Sequence, residues 1–266
     1  MRLISFLLSG LLFFSSLTFA GTRHPTVPDS KHLEYAEKFH FVVRIVAFEK
    51  GTKNPQLASA VLIKPNWALT AAHVLRNTDG AVIMLKNDEV KINVDKTIPH
   101  KDFGNDTKPG EHDIALCYSA QEFGLTFYPK LYSDFDERDQ ICSISGYGLA
   151  GTFATGYKIS DAKRRAGSNR IDRYERAVLI CTPSSSRRTS LEFMIAPGDS
   201  GGGLFIGNKL AGINSFIMCD EGKIPNSAYG TESGHTRISL YYDWIHKQIA
   251  DYEATLKVKP AEPAAQ

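Results

Sequence analysis

Short runs rich in apolar residues, separated by polar turns and loops, recur through the first half of the chain. The first run, Phe39–Phe48, reads FHFVVRIVAF and is rich in β-branched residues, which is typical of a strand. Lys64-Pro65-Asn66 predicts a turn, because its proline stands where no ladder N–H is needed. The predicted strands of this half are Phe39–Phe48, Ala58–Ile63, Trp67–Ala72, Ala81–Leu85, Val90–Val94 and Asp113–Tyr118.

The second half continues in the same way after a bridge over Glu122–Gln140. Its predicted strands are Ile141–Ser145, Ile171–Thr182, Leu191–Ile195, Gly203–Ile206 and Leu210–Phe216, the last two joined by a hairpin turn at Gly207-Asn208. The period changes only near the end, where Tyr241, Trp244, Ile245 and Ile249 recur at helical spacing. The pattern therefore predicts an all-β protein with one helix over about 240–256.

The two ends of the chain differ in composition from the strand-rich region. Residues 1–20 begin with Arg2, continue with an apolar stretch and end on Ala20, which predicts a secretory signal cut after Ala20. Residues 21–38 are polar with two prolines and are expected to form an extended N-terminal arm or a propeptide. Residues 257–266 are rich in Pro, Ala, Lys and Glu and are expected to be a disordered tail.

Charge and residue counts exclude several classes of function. The formal net charge of +2, with both signs mixed, argues against a nucleic-acid surface. Apart from the leader, no apolar run approaches the length of a membrane span. Histidines such as His24, His32, His40 and His100 are scattered and no H-E-x-x-H occurs, so we expect no metal and no cofactor. The four cysteines of an exported chain allow up to two disulfides in three connectivities.

Three motifs carry the chemistry, and they occur in a fixed order. They are Thr70-Ala71-Ala72-His73, Asp113-Ile114-Ala115-Leu116 and Gly198-Asp199-Ser200-Gly201-Gly202. A serine hydroxyl is a weak nucleophile until a base removes its proton, and the base in turn needs a group that orients it. The last motif also fits the nucleophile elbow of α/β-hydrolases. Those enzymes run serine, acid, histidine, however, whereas this chain runs histidine, acid, serine.

These motifs, in this order, resemble the trypsin/chymotrypsin family of serine endopeptidases, and the resemblance covers about Phe39–Ile245. It implies two six-stranded antiparallel Greek-key barrels, packed face to face and followed by a C-terminal helix. The peptidase unit would span 39–256, with a first barrel over about 39–120 and a second over about 140–239. With the leader, the chain is expected to be a secreted member of the family, and we expect one of bacterial type.

The resemblance also assigns roles to residues. His73, Asp113 and Ser200 take the catalytic positions, and the backbone N–H groups of Gly198 and Ser200 take those of the oxyanion hole. Asp199 matches the carboxylate that pairs with a freed amino terminus. The run Ser215-Phe216-Ile217 stands where the family pairs with substrate backbone.

The expected specificity pocket departs from the trypsin type. Met194 falls where trypsin-like enzymes carry an aspartate, Ile195 lies beside it, and Ile217 replaces a glycine of the pocket wall. These residues imply a shallow apolar pocket for small aliphatic side chains. His235 aligns near the pocket wall, where glutamyl endopeptidases carry a histidine, so specificity for acidic residues is the competing hypothesis. The partner histidine of those enzymes is replaced here by Asn214.

The activation sequence and the cysteines are also atypical. No IVGG stands at the usual distance before His73, so either signal removal frees Gly21 to pair with Asp199, or a further cut within 21–38 activates a zymogen. Cys142 matches a family cysteine, but Ile206 occupies the position of its usual partner. By the resemblance, Cys219 would then pair with Cys181.

The sequence predicts a secreted or periplasmic serine endopeptidase that acts through a Ser-His-Asp triad and an acyl-enzyme. The alternative is a catalytically silent relative that binds a partner through the same cleft. The expected partners are protein or peptide substrates, with a protein inhibitor as a further candidate, and no nucleic acid or, after signal removal, membrane. The protein is expected to be a monomer.

Overall fold

The computed structural model describes residues 21–258, except 53, 87, 106, 107 and 160. The predicted leader over 1–20 and residues 259–266 of the predicted tail lie outside the described residues. The described chain begins with strand β1 (Gly21–Arg23) and helix α1 (Asp29–Ala36), followed by a short 3-10 helix (Glu37–Phe39).

The first barrel follows directly. Its strands are β2 (Val42–Glu49), β3 (Pro55–Lys64), β4 (Trp67–Thr70), β5 (Thr78–Leu85), β6 (Val90–Asn93), β7 (Lys96–Pro99) and β8 (Ala115–Tyr118). They pair in the order β6-β5-β2-β3-β4-β8-β7 with antiparallel neighbours. At the corner between β6 and β7, the N–H groups of Val94 and Asp95 donate to Ala81 and Tyr118 on opposite edges. The two therefore act as one bent strand that closes a six-stranded barrel.

The second half forms another closed sheet. Its elements are β9 (Lys130–Leu131), β10 (Ile141–Gly146), β11 (Ala150–Thr152), β12 (Gly156–Ile159), β13 (Arg165–Arg170), β14 (Arg173–Glu175), β15 (Val178–Cys181), β16 (Phe193–Met194), β17 (Gly203–Ile206), β18 (Lys209–Cys219) and β19 (Thr231–Arg237). The strand order is β13-β10-β17-β18-β19-β15-β14, with β9 on β18. Just beyond β13, Asp172 donates its N–H to Ile180 of β15, and this bond closes the second barrel.

The segment 21–38, expected as an extended arm or propeptide, is folded into the second half. Strand β1 lies between β11 and β16 in a small sheet of order β12-β11-β1-β16. Helix α1 starts after Pro28, has Asp29 in its first turn and buries His32 and Ala36. An acidic residue is favourable at this end because it faces the positive pole of the helix.

The final helix α2 (Ile238–Val258) extends past the range expected for it at both ends, and its last two residues were expected in the tail. It buries Tyr241, Ile245 and Ile249 against the core that includes the first barrel. The prediction of two antiparallel barrels with a C-terminal helix is therefore confirmed. No helix within the described ranges is long and apolar enough to cross a membrane.

Candidate active site

His73 and Asp113 meet because their strands are neighbours. His73 lies in a 3-10 turn after β4, and Asp113 lies two residues before β8, which pairs antiparallel with β4. The backbone N–H of His73 donates to Asp113 Oδ1 at 2.8 Å, and His73 Nδ1 lies 2.7 Å from Oδ2. A carboxylate accepts only, so Nδ1 carries the proton and Nε2 is left as the acceptor.

Asp113 is held in its charged form by its neighbours. Asp113 is only 3% exposed, and burial alone would raise the pKa of its carboxyl group. Hydrogen bonds and charge from His73, together with the Ser215 hydroxyl 2.5 Å from Oδ2, outweigh burial and place the pKa below its usual value. The carboxylate can therefore orient the imidazole and stabilise a positive charge on it.

The loop that carries Ser200 belongs to the second barrel but lies against the first. The N–H of Ser59 on β3 donates to the Ser200 carbonyl at 2.8 Å. A Cβ on Gly201, whose φ is +81°, would come within 2.1 Å of Thr70 Oγ1, so the contact requires glycine. Among the described residues, the Ser200 hydroxyl has no hydrogen-bond partner. Unliganded active sites often show such loose geometry, which tightens when substrate binds.

The backbone around Gly198 leaves two N–H groups available. The Ser59 hydroxyl donates to the Gly198 carbonyl at 3.0 Å and accepts the Tyr147 N–H at 2.9 Å. Gly198 has a φ of +94°, and a Cβ there would lie 2.9 Å from Gly148 Cα. Within the part of the chain that the structure describes, the N–H groups of Gly198 and Ser200 find no acceptor. They could donate together to an oxyanion.

Comparison with known proteins decides the family. A family model described as Trypsin matches residues 35–245. The chain belongs to the trypsin family. It is therefore a serine endopeptidase, a hydrolase whose substrates are proteins or peptides.

Individual relatives agree with the family model. Human Kallikrein-8 is 28% identical over 210 residues, which cover 73% of this chain and 77% of the relative. Chymotrypsin-like elastase family member 1 of Felis catus is 25% identical over 231 residues, which cover 75% of this chain and 81% of the relative. The solved structure of HL collagenase matches with a TM-score of 0.64 and 20% identity, over 80% of this chain and 94% of that one. The structure of mouse neuropsin matches with a TM-score of 0.63 and 20% identity, and the match covers 80% of this chain and 96% of neuropsin. At this identity, both structures support the fold alone.

In this trypsin-family enzyme, Asp199 is completely buried beside Ser200. Its carboxylate accepts the N–H groups of Gly148 at 2.7 Å and Ala196 at 2.8 Å. Burial raises the pKa of Asp199 to about 7, although these two hydrogen bonds act in the opposite direction. No salt bridge reaches Asp199 among the described residues. A positive charge brought to this site would keep the carboxylate ionised.

Residues expected to shape the specificity pocket lie partly in the protein core. Met194 and Ile195 are buried, and Met194 pairs with Thr22 of β1. Ile217 is half-buried on β18 opposite Ser233, where it packs against the apolar core of the second barrel. Apolar side chains therefore surround the expected specificity pocket of the trypsin-family enzyme.

The aromatic ring of Phe216 fills the neighbouring part of the cleft. A Cβ on Gly110 or Gly234 would come within 2.6 Å and 2.3 Å of this ring. Both glycines therefore make room for Phe216 between the barrels.

His235 is fully buried in the same barrel. Its Nδ1 lies 2.9 Å from Asn214 Oδ1, and its Nε2 lies 3.1 Å from the Ser233 hydroxyl. Burial lowers the pKa of His235 to about 3, so the ring is neutral. Both ring nitrogens already have partners within the barrel, and specificity for acidic residues stays a hypothesis.

His100, which was described as one of several scattered histidines, lies beside His112 in the structure. His100, Asp102 and His112 place potential ligand atoms within 4.8 Å of one another. The imidazole rings are stacked with centroids 4.6 Å apart and planes 10° apart. The nitrogen lone pair of an imidazole lies in the plane of its ring. Because the His100 and His112 rings are nearly parallel, their lone pairs do not converge on one ion. The expectation of no metal in this trypsin-family enzyme stays a prediction.

The expected cysteine pairing is wrong, because the structure brings Cys181 to Cys142 rather than to Cys219. The two sulfur atoms lie 3.9 Å apart, and all four cysteines are free thiols in this structure. Cys142 and Cys181 become neighbours because the barrel closes. Their separation along the chain does not predict this contact.

Two further contributions to the site were not anticipated. The Ser215 hydroxyl binds Asp113, although Ser215 was expected only to pair with substrate backbone. Ser59 anchors both Gly198 and Ser200, and no local motif marks it. The serine that opens the substrate-pairing run was a signal that could have revealed the role of Ser215, because its side chain reaches Asp113.

Proposed function

We propose that the protein is a secreted serine endopeptidase in which His73, Asp113 and Ser200 form the catalytic triad. The observation that carries the proposal is the buried Asp113 carboxylate, which accepts from His73 twice and from Ser215 once. This arrangement fixes the tautomer of His73 with Nε2 as the base. A partner-binding relative without activity would have no need for such an oriented base.

The proposed reaction uses each of these groups in turn. His73 Nε2 takes the Ser200 proton as Oγ attacks the scissile carbonyl, and Asp113 stabilises the imidazolium that forms. The N–H groups of Gly198 and Ser200 donate to the oxyanion of the tetrahedral intermediate. His73 returns its proton to the leaving amine, and the acyl-enzyme is then hydrolysed by water in the reverse sequence of proton transfers.

Activation is proposed to follow directly from signal removal. Cleavage after Ala20 would free the amino group of Gly21, which begins β1 between β11 and β16. Leu149, one residue before β11, and Ala196, two residues after β16, both lie in the segments that enclose Asp199. An ammonium group from Gly21 would supply the positive charge that the buried Asp199 lacks. A second cut within 21–38 would remove β1 from its sheet.

The proposed pocket is shallow and apolar and takes small aliphatic side chains. The burial of Met194 and Ile195 and the contact of Ile217 with the core support this assignment. The backbone of Ser215-Phe216-Ile217 would pair with an extended substrate.

The remaining assignments follow from the leader and the family. We propose a monomer of bacterial type, located outside the cell or in the periplasm, with a peptidase unit over 39–256. A protein inhibitor is a candidate partner that would occupy the same cleft.

A fluorophosphonate probe tests the catalytic assignment. The purified secreted protein and a Ser200→Ala control are treated with the probe and examined by mass spectrometry. Labelling at Ser200 with an amino terminus at Gly21 supports both the triad and direct activation. A folded, trimmed protein that is not labelled would instead support the partner-binding alternative.

A peptide library tests the pocket. We expect cleavage after small aliphatic residues, and Ile217→Gly should extend it to larger apolar side chains. Preferred cleavage after Arg or Glu would contradict the apolar pocket while leaving the triad intact.

A further inference from the structure

The interior of the second barrel holds two thiols in contact. Cys142 on β10 and Cys181 on β15 have sulfur atoms 3.9 Å apart. Their strands are not neighbours, because β17, β18 and β19 lie between them in the sheet. The bond from Asp172 to Ile180 closes the barrel and brings the two strands together.

The surroundings of the two thiols exclude other roles for them. Cys142 is 1% exposed and Cys181 is 0% exposed, and both belong to an apolar cluster with Ile144, Leu179 and Leu204. The Cys142 thiol donates to the Asn169 carbonyl at 3.4 Å. A thiol buried among apolar side chains is inert as a nucleophile. In the described residues, no group of metal ligands includes either cysteine.

The other two cysteines have no such partner. Cys117 is buried in the first barrel, and Cys219 is half-buried at the end of β18. Each of the two thiols in the second barrel therefore has only the other as a sulfur contact among the described residues.

We infer that Cys142 and Cys181 form a disulfide in the exported enzyme, an inference that rests on the export part of the proposed function. The sulfur atoms must approach from 3.9 Å to about 2.05 Å, a movement within reach of side-chain rotation. Because the folded barrel buries both thiols, the bond forms during folding, while the closing barrel still leaves the thiols accessible.

The step is a two-electron oxidation by a thiol–disulfide oxidoreductase of the export compartment. A thiolate from one cysteine attacks the disulfide of the oxidoreductase and forms a mixed disulfide. The second thiolate displaces the oxidoreductase, which leaves as a dithiol. The two cysteines lose two electrons and two protons, and the oxidoreductase gains them.

The crosslink would hold two strands that lead into the active site. Strand β10 continues to Gly148, whose N–H binds Asp199, and β15 continues to the loop before Met194. The bond would close a loop of about 40 residues and limit the freedom of the unfolded chain. We expect reduction to lower the melting temperature by about 10 °C.

Differential alkylation with mass spectrometry tests the inference on the secreted wild-type protein. Alkylation in denaturant without reductant should modify Cys117 and Cys219 only, and alkylation after reduction should modify all four. A non-reduced digest should contain the Cys142 and Cys181 peptides joined, with a mass two hydrogens below their sum. Four modified cysteines without reduction, or a joined Cys181–Cys219 pair, would overturn the inference.

Two variants separate the crosslink from general effects. Cys219→Ser should keep the joined peptides and the sensitivity of the melting temperature to reductant. A Cys142→Ala/Cys181→Ala variant should lose that sensitivity; if it does not fold, the oxidised and reduced wild-type proteins supply the same comparison. A fluorophosphonate-reactive protein with both thiols free would contradict the disulfide alone, and an unreactive protein with joined peptides would contradict the catalytic proposal alone.

Discussion

Asp113 lies in the interior of the protein, yet three hydrogen bonds keep its carboxyl group charged. Two of them come from His73 and the third from Ser215 on the opposite barrel. A hydrogen bond to a charged group contributes about 1.5–3 kcal/mol, so each donor affects how firmly the imidazole is oriented. Ser215 is a positioning residue, because its side chain acts through Asp113.

Replacing Ser215 by alanine should lower kcat/KM by roughly tenfold, which corresponds to about 1.4 kcal/mol of lost stabilisation of the transition state. The loss should appear in kcat more than in KM, because substrate binding uses the backbone of the strand. Steady-state kinetics on a peptide substrate measures both. Ser119→Ala removes a similarly buried hydroxyl far from the cleft and should leave kcat unchanged. An unchanged kcat in Ser215→Ala would exclude the positioning role.

The proposed role of Gly198 as an oxyanion donor can be tested with Gly207, which also has a positive φ, as the control. Gly198→Ala should lower kcat by about a hundredfold, because a Cβ would press on Gly148 and displace the proposed oxyanion donor. Gly207→Ala shares a positive φ but meets no atom within 4 Å, so it should change stability and not kcat. Equal effects of the two variants on kcat would indicate that strain alone is responsible.

At the scale of elements, strand β1 is the part of the fold that the sequence predicted least well. Gly21–Arg23 has no apolar period, and the two edges that it joins, β11 and β16, are only three and two residues long. Such a strand is determined by partners distant in the chain. The longer alternating strands and the amphipathic helix α2 were predictable, because each has a buried face that its own sequence specifies.

The docking of β1 can be tested by adding a side chain to Gly21. A Cβ at this position would come within 1.9 Å of the Phe193 ring, so Gly21→Val should displace the strand and remove most of the activity. Phe193→Ala in the same chain should restore part of it. Gly80→Val on β5 has open space around it and serves as the control. N-terminal sequencing confirms that residue 21 is the first residue in each variant. Full activity of Gly21→Val would show that β1 is not needed.

At the scale of the whole molecule, the site exists only where the two barrels meet. His73 and Asp113 belong to the first barrel, whereas Ser200 and Ser215 belong to the second. Short motifs pointed to His73, Asp113 and Ser200, whereas Ser215 was expected to bind substrate rather than Asp113. The role of Ser59 and the pairing of Cys142 with Cys181 depend on contacts between distant strands, and no local pattern encodes them.

The state of Asp199 should depend on whether an amino terminus is free at Gly21. In a chain with two additional residues before Gly21, the raised folded-state pKa of about 7 means that the folded protein binds a proton that the unfolded one releases. Its stability should therefore fall as pH rises from about 4 to about 7. Asp199→Asn should remove this fall.

Urea unfolding of both chains over this pH range measures the difference. With Gly21 free, an ion pair would lower the pKa of Asp199, and the fall in stability should disappear from the parent protein as well. The extended chain and its Asp199→Asn variant showing the same pH dependence would contradict the burial of an unpaired carboxyl group.

Helix α2 follows the second barrel in sequence but also packs on the first. Trp67 donates its indole N–H to Glu253 at 2.9 Å, and the ring of Tyr252 covers those of Trp67 and Tyr118. During synthesis the chain emerges in the order of its sequence, so the face of the first barrel that α2 covers stays exposed to water until α2 itself has been made. Helix α2 therefore determines the order in which the two barrels can complete their packing. The first barrel, which carries His73 and Asp113, can complete its packing only after the whole second barrel has been synthesised.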